Sequence, residues 1–257
     1  MDYKDFLGNS EEKPLEQIKE DGGFTAIFRT IGVIGDSLAS GEFESIDEEG
    51  NVQYHDFYEY SWGQFLARAA GITVYNFSRG GMTAKEYWEH FADENNCWKR
   101  CQAYIICLGN NDLFVYGHPL GTIADVHLDA PEQNPPTYMG YMGKILSRLK
   151  EIQPQAKLFV ISLQHDDMGE ERNQLIDECT IQLEKLTQQY EGCYLLNFSK
   201  YSICYTQNVR EHFALGFHPN PMGYYVYAKM VGSYIDYIVR HHMKDFAKVG
   251  FIGTDII

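Results

Sequence analysis

The chain is poor in positive charge. Its 257 residues include 21 Lys and Arg against 36 Asp and Glu, a formal net charge of −15. A groove that tracks a phosphate backbone needs basic residues in excess, so neither nucleic acid nor an anionic membrane surface is an expected partner. Long apolar runs are missing as well. No stretch approaches the ~20 residues a membrane span needs. The opening MDYKDFLGNSEEKPLEQIKEDGG is acidic and polar, without the apolar core of a secretory signal, so a cytoplasmic location is expected. There is no G-x-G-x-x-G and no Walker pattern, hence no nucleotide cofactor is expected. The six cysteines, Cys97, Cys101, Cys107, Cys179, Cys193 and Cys204, are scattered. Cys107 and Cys193 lie in apolar runs, which favours buried reduced thiols over disulfides. Cys97 and Cys101 are four apart, but no second ligand pair follows at zinc-finger spacing, and no metal is expected.

What is present suits a single large domain. Hydrophobic residues make up 44% of the chain, enough for a sizeable core. Residues 1–22 read as an N-terminal appendage with one helical stretch at 14–19, and residues 23–257 read as one domain. Within it, short apolar runs recur: FRTIGVIG (28–35), ITVYNF (72–77), AYIICLG (103–109), KLFVISL (157–163) and CYLLNF (193–198). Between and after them lie amphipathic segments at 59–71, 83–95, 138–152, 171–190 and 221–242. Strands alternating with helices predict a mostly parallel sheet covered on both faces, a three-layer α/β/α sandwich with five strands. Residues 113–137 form the longest segment without periodicity, and long loops of this kind are often lids or binding loops. The sequence fixes no oligomeric state.

In open parallel sheets ligands bind beyond the carboxyl ends of the strands, so the residues that follow each strand matter most. After the first strand comes Gly35-Asp36-Ser37-Leu38. After the second comes Asn76-Phe77-Ser78-Arg79-Gly80-Gly81-Met82-Thr83, and after the third Gly109-Asn110-Asn111-Asp112. His218-Pro219-Asn220-Pro221 precedes the last helix. Their chemistries are complementary. Ser37 offers a hydroxyl and its own N–H at a strand-to-helix turn. Gly81 offers a backbone N–H with no side chain in the way, and Asn111 an amide donor. A histidine such as His218 is the base a weak hydroxyl needs to become a nucleophile. Three donors around one point would form an oxyanion hole.

These four blocks, in this order from residue 35 to residue 220, resemble the GDSL or SGNH hydrolases. The family's serine matches Ser37 in IGDSLASGE. Its oxyanion glycine matches Gly81, framed by Asn76 and Thr83. Its asparagine matches Asn111 in LGNND, and its histidine matches His218. The resemblance implies a flavodoxin-like strand order, second-first-third-fourth-fifth. It also implies cofactor-free hydrolysis of a small-molecule ester, with Ser37 and His218 catalytic, Gly81 and Asn111 in the oxyanion hole and Asp36 bracing the loop. An acetylated carbohydrate fits this expectation.

One departure stands out. The family has Asp three residues before the histidine, and here that position is Leu215. Either a backbone carbonyl orients His218, or a carboxylate from elsewhere does, with Glu211, Asp166 and Asp167 as candidates. Leu215 also keeps open an acyl- or glycan-binding module without turnover on the same scaffold. His165-Asp166-Asp167 reads as solvated loop rather than pocket wall. Trp62 and Trp88 read as core, and His241-His242 as a surface helix end.

Overall fold

The computed structural model describes residues 1–256. In chain order the strands are β1 (Thr30–Gly35), β2 (Glu42–Ile46), β3 (Val52–Asp56), β4 (Thr73–Ser78), β5 (Ala103–Cys107), β6 (Lys157–Ile161), β7 (Cys193–Leu196), β8 (Ala214–Leu215) and β9 (His218–Pro219). Five of them form one parallel sheet in the order β4-β1-β5-β6-β7. Counted along the sheet strands alone, that is the second-first-third-fourth-fifth order expected. The strands read as continuous apolar runs because successive side chains enter different layers. Ile31, Val33, Ala103, Ile105 and Phe159 pack on α2 (Trp62–Ala70) and α7 (Pro221–His241). Ile34, Tyr104, Ile106, Leu158 and Val160 pack on the opposite side. There the cover is α3 (starting at Ala84–Glu86), α4 (Tyr138–Ile152) and α5 (Glu170–Thr187), and α6 (Gln207–Phe213) precedes β8.

Helix starts follow capping chemistry. Ser61, Thr83, Thr137 and Asn220 each accept a hydrogen bond from a first-turn N–H, and Pro221 occupies the first turn of α7, where its missing N–H is harmless. The helix from Ala84 widens into a π-type segment at Tyr87–Phe91 before closing at Ala92–Glu94.

Two expectations change, and two hairpins are added. Residues 14–19 form turns, not a helix, and Leu15 takes a positive φ of 65°. Residues 8–20 are tied along α7. The Glu12 carboxylate bonds the Arg240 guanidinium at 2.7 Å, and Ser233 accepts from the Lys19 N–H at 2.8 Å. The stretch 113–137 is only partly at the cavity. Phe114 and Val115 line it, while Ile123 and Val126 pack against the cluster that holds α4. Finally, two antiparallel hairpins, β2–β3 and β8–β9, stand outside the main sheet. All six cysteines are free, and Cys204 is exposed.

Candidate active site

The register aligns the carboxyl ends of three strands. Gly35 on β1 pairs with Ser78 on β4 and with Cys107 on β5. The segments that follow therefore leave the sheet side by side. Ser37, Gly81, Asn111 and His218 line one cavity of about 720 Å³ at this edge.

Ser37 opens α1 (Ser37–Ser40), a single turn capped by Asp36, whose carboxylate accepts from the Leu38 N–H at 3.1 Å. Asp36 is buried at 2% exposure. Desolvation pushes its carboxyl up to about 7, partly opposed by the Leu38 N–H and His218. Gly81 has φ 72°, and a Cβ built there would meet nothing within 4 Å. Its requirement for glycine is conformational, since a side chain at that φ is strained even in open space. The Asn111 side-chain amide lies 3.1 Å from the Met82 carbonyl and 3.4 Å from Asp36 Oδ2. Asp112, next in sequence, accepts from the Ala84 N–H with both oxygens at 3.1 Å and so fixes the loop that carries Gly81. Burial raises its pKa.

His218 stands on β9, paired across the hairpin with Leu215. Leu215 is 45% exposed and fills none of the family aspartate's role. The imidazole instead lies between two glutamates of β2. Its Nδ1 is 2.5 Å from Glu44 Oε1, and its Nε2 is 3.2 Å from Glu42 Oε1. No hydrogen bond joins Ser37 to His218 among the described residues. Desolvation raises the pKa of Glu42, with His218 opposing it and the nearby Asp56 and Glu44 charges adding to it.

The carboxylates named from the sequence are engaged elsewhere. Asp166 bonds Arg172 Nε at 2.5 Å, Asp167 bonds Arg210 at 2.8 Å, and Glu211 accepts from the Gln207 amide at 3.0 Å. Asp166 also lines the cavity and is buried, so the loop it belongs to is pocket wall and not plain solvated surface. Trp62 is fully buried in the core. His241 is drawn to the N-terminal segment, with Nε2 3.0 Å from the Asn9 carbonyl.

Glu42 and Glu44 are the functional candidates that the sequence reading missed. A signal for the hairpin existed. E-F-E-S-I alternates, and Glu49-Gly50-Asn51 is turn composition before a second alternating run. Nothing local tells that these glutamates reach a histidine, which for Glu44 lies 174 positions on.

The family model for GDSL-like lipase/acylhydrolase matches residues 33–226. Solved structures share the fold at low identity. A putative lipolytic protein of the G-D-S-L family from Desulfitobacterium hafniense is 17% identical with a TM-score of 0.52, over 80% of this chain and 98% of that one. A family two carbohydrate esterase from Clostridium thermocellum, in complex with cellohexaose, is 14% identical with a TM-score of 0.55, over 90% of this chain and 67% of that one. A carbohydrate esterase family 2 enzyme with a carbohydrate binding domain, from Corynascus thermopiles, is 15% identical with a TM-score of 0.55, over 80% and 65%. None of the curated proteins matches the chain's sequence.

Proposed function

The chain belongs to the GDSL-like lipase/acylhydrolase family and is a carboxylic ester hydrolase, and from that premise we propose that it works through an acyl-enzyme on Ser37. His218 Nε2 takes the Ser37 hydroxyl proton as Oγ bonds to the ester carbonyl carbon. The resulting oxyanion accepts from the Ser37 and Gly81 N–H groups and the Asn111 amide. The C–O bond to the alcohol then breaks, and His218 gives its proton to the leaving oxygen. Water repeats the sequence in reverse, delivering hydroxide to the acyl carbon and a proton to Ser37. Asp36 braces the turn that presents Ser37. This chemistry needs no metal or cofactor.

The observation that carries this reading is the shared cavity. Ser37, Gly81, Asn111 and His218 line one space, although they come from positions as far apart as 37 and 218, and this supports assigning them as nucleophile, oxyanion donors and base. The support for a binding module without turnover was Leu215, and that support weakens once a carboxylate stands at His218 Nδ1.

The acyl side of the substrate is read from the cavity wall. Leu163, Ile176, Val226 and Met230 line it. A space of about 720 Å³ exceeds what an acetyl group fills, and its apolar wall favours longer acyl groups by ~0.8 kcal/mol for each buried methylene. A second reading, a short acyl group on a carbohydrate, has its support in the likeness of fold to carbohydrate esterases. A panel of aryl esters from acetate to decanoate, set beside acetylated sugars, separates the two. Ser37→Ala and His218→Ala each remove nearly all turnover. Full activity in either variant refutes the acyl-enzyme.

A further inference from the structure

The hairpin β2–β3 lies between α1, which begins at Ser37, and α2, and its placement is over-determined. Phe43 is buried against Phe57, Tyr60 and Tyr224. Side chains alternate along a strand, so with Phe43 turned into the core, Glu42 and Glu44 must both face the other way, towards β9. The backbone is pinned at the same place. The Phe57 N–H donates to the Gly41 carbonyl at 2.9 Å, and Ser40 Oγ donates to Asp56 Oδ1 at 2.6 Å. The Tyr224 hydroxyl donates to the Glu42 carbonyl at 2.7 Å.

Glu44 is received by a fitted seat. Its Oε1 accepts from the Phe217 N–H at 3.0 Å as well as meeting His218 Nδ1. A Cβ on Gly216 would lie 1.8 Å from Glu44 Oε2, and Gly216 has φ 65°. The β8–β9 turn is thus built with a residue that leaves room for the carboxylate and adopts the required backbone at no steric cost. The two glutamates differ in role by position. Glu42 meets Nε2, the nitrogen that must serve Ser37, so that contact has to open during turnover. Glu44 meets Nδ1, the nitrogen that is free to stay bonded throughout.

We infer that Glu44, on a hairpin far from the family's usual place in sequence, substitutes for the absent aspartate as the positioning residue of His218. It fixes the tautomer with the proton on Nδ1 and balances the imidazolium that forms when Nε2 takes the Ser37 proton. This rests on the acyl-enzyme reading above. In a serine protease, the reference case for this reasoning, the Asp→Asn change at the corresponding position costs ~10⁴ in turnover. Here Glu44→Gln lowers kcat by about 10²–10⁴, while KM for an aryl ester stays within about threefold. A fluorophosphonate labels Ser37 more slowly by a similar factor. Glu44→Ala recovers part of its kcat when formate is added, which a merely structural loss does not do. Glu48→Gln, at the exposed tip of the same hairpin, keeps the wild-type rate. If the Glu44 variants fold poorly, wild-type protein still gives a test, because a downfield imidazole N–H proton resonance that disappears in His218→Ala is expected. A Glu44→Gln enzyme with more than a third of wild-type kcat, or a wild type without that resonance, overturns the inference. If wild-type protein itself neither hydrolyses aryl esters nor is labelled at Ser37, it is the acyl-enzyme reading that fails.

Discussion

Asp36→Asn makes the protein more stable at alkaline pH and leaves it little changed in acid. The Asp36 carboxyl is pushed from its ordinary 3.8 to about 7, first of all by desolvation. The raised value means that the native state holds this proton more tightly than the unfolded chain does. Its stabilising effect is therefore complete below pH ~3.8, falls away through the window from 3.8 to about 7, and is gone above it. A shift of about three units at ~1.36 kcal/mol each corresponds to a ceiling on the order of 4 kcal/mol. Of this, about 2.5 kcal/mol falls between pH 5 and pH 8. Asparagine imitates the neutral acid at every pH, and its Oδ1 still accepts the Leu38 N–H, so the turn keeps its cap. For a chain of this size ~1 kcal/mol moves Tm by about 2–4 °C. The difference in Tm between Asp36→Asn and wild type therefore widens by about 5–10 °C from pH 5 to pH 8. Differential scanning calorimetry on both proteins at both pH values measures it, and comparing the pair cancels the groups that titrate independently of Asp36. A Tm difference that is the same at pH 5 and pH 8 refutes the buried, proton-holding Asp36.

Two other changes probe neighbouring links. Asn111→Ala removes a proposed oxyanion donor and lowers kcat for an aryl ester by about 10²–10³ with little effect on KM; an unaltered kcat contradicts its place in the hole. Phe43→Ala empties the site against Phe57 and Tyr224 and costs about 3–5 kcal/mol of stability by denaturant unfolding. It also frees the register of β2, so turnover falls at temperatures where the variant remains folded. Normal turnover in a destabilised Phe43→Ala separates the hairpin from the chemistry.

Much of the architecture was legible because it rests on short-range regularities. A strand buried on both faces has to read as a continuous apolar run, and β1, β5 and β6 do. A helix packed by one face has to place apolar residues at helical spacing, and α5 does so, burying Ile176, Cys179, Leu183 and Leu186 at steps of three and four. The residues after each strand were legible for a related reason: a parallel sheet delivers all its carboxyl ends to one edge, so Ser37, Gly81 and Asn111 meet without any further information. The short helix expected at residues 14–19 failed because that segment is held by its contacts with α7 rather than by its own periodicity. The stretch 113–137, read as a lid or binding loop, reaches the cavity with Phe114 and Val115, while Ile123 and Val126 pack against the cluster that holds α4.

The sequence by itself determined the layers and the residues gathered at the sheet edge, because apolar spacing and turn chemistry act within a few positions, while the strand order followed from the resemblance to the GDSL hydrolases. Only the tertiary structure decided which carboxylate meets His218. Asp166, Asp167 and Glu211 were nearer in sequence but are held by Arg172, Arg210 and Gln207. Glu44 reaches the imidazole because Phe43 is buried beside it and turns the neighbouring side chains outward, across a separation of 174 residues. A contact of that range is set by how two hairpins pack together, and no local pattern at either end records it.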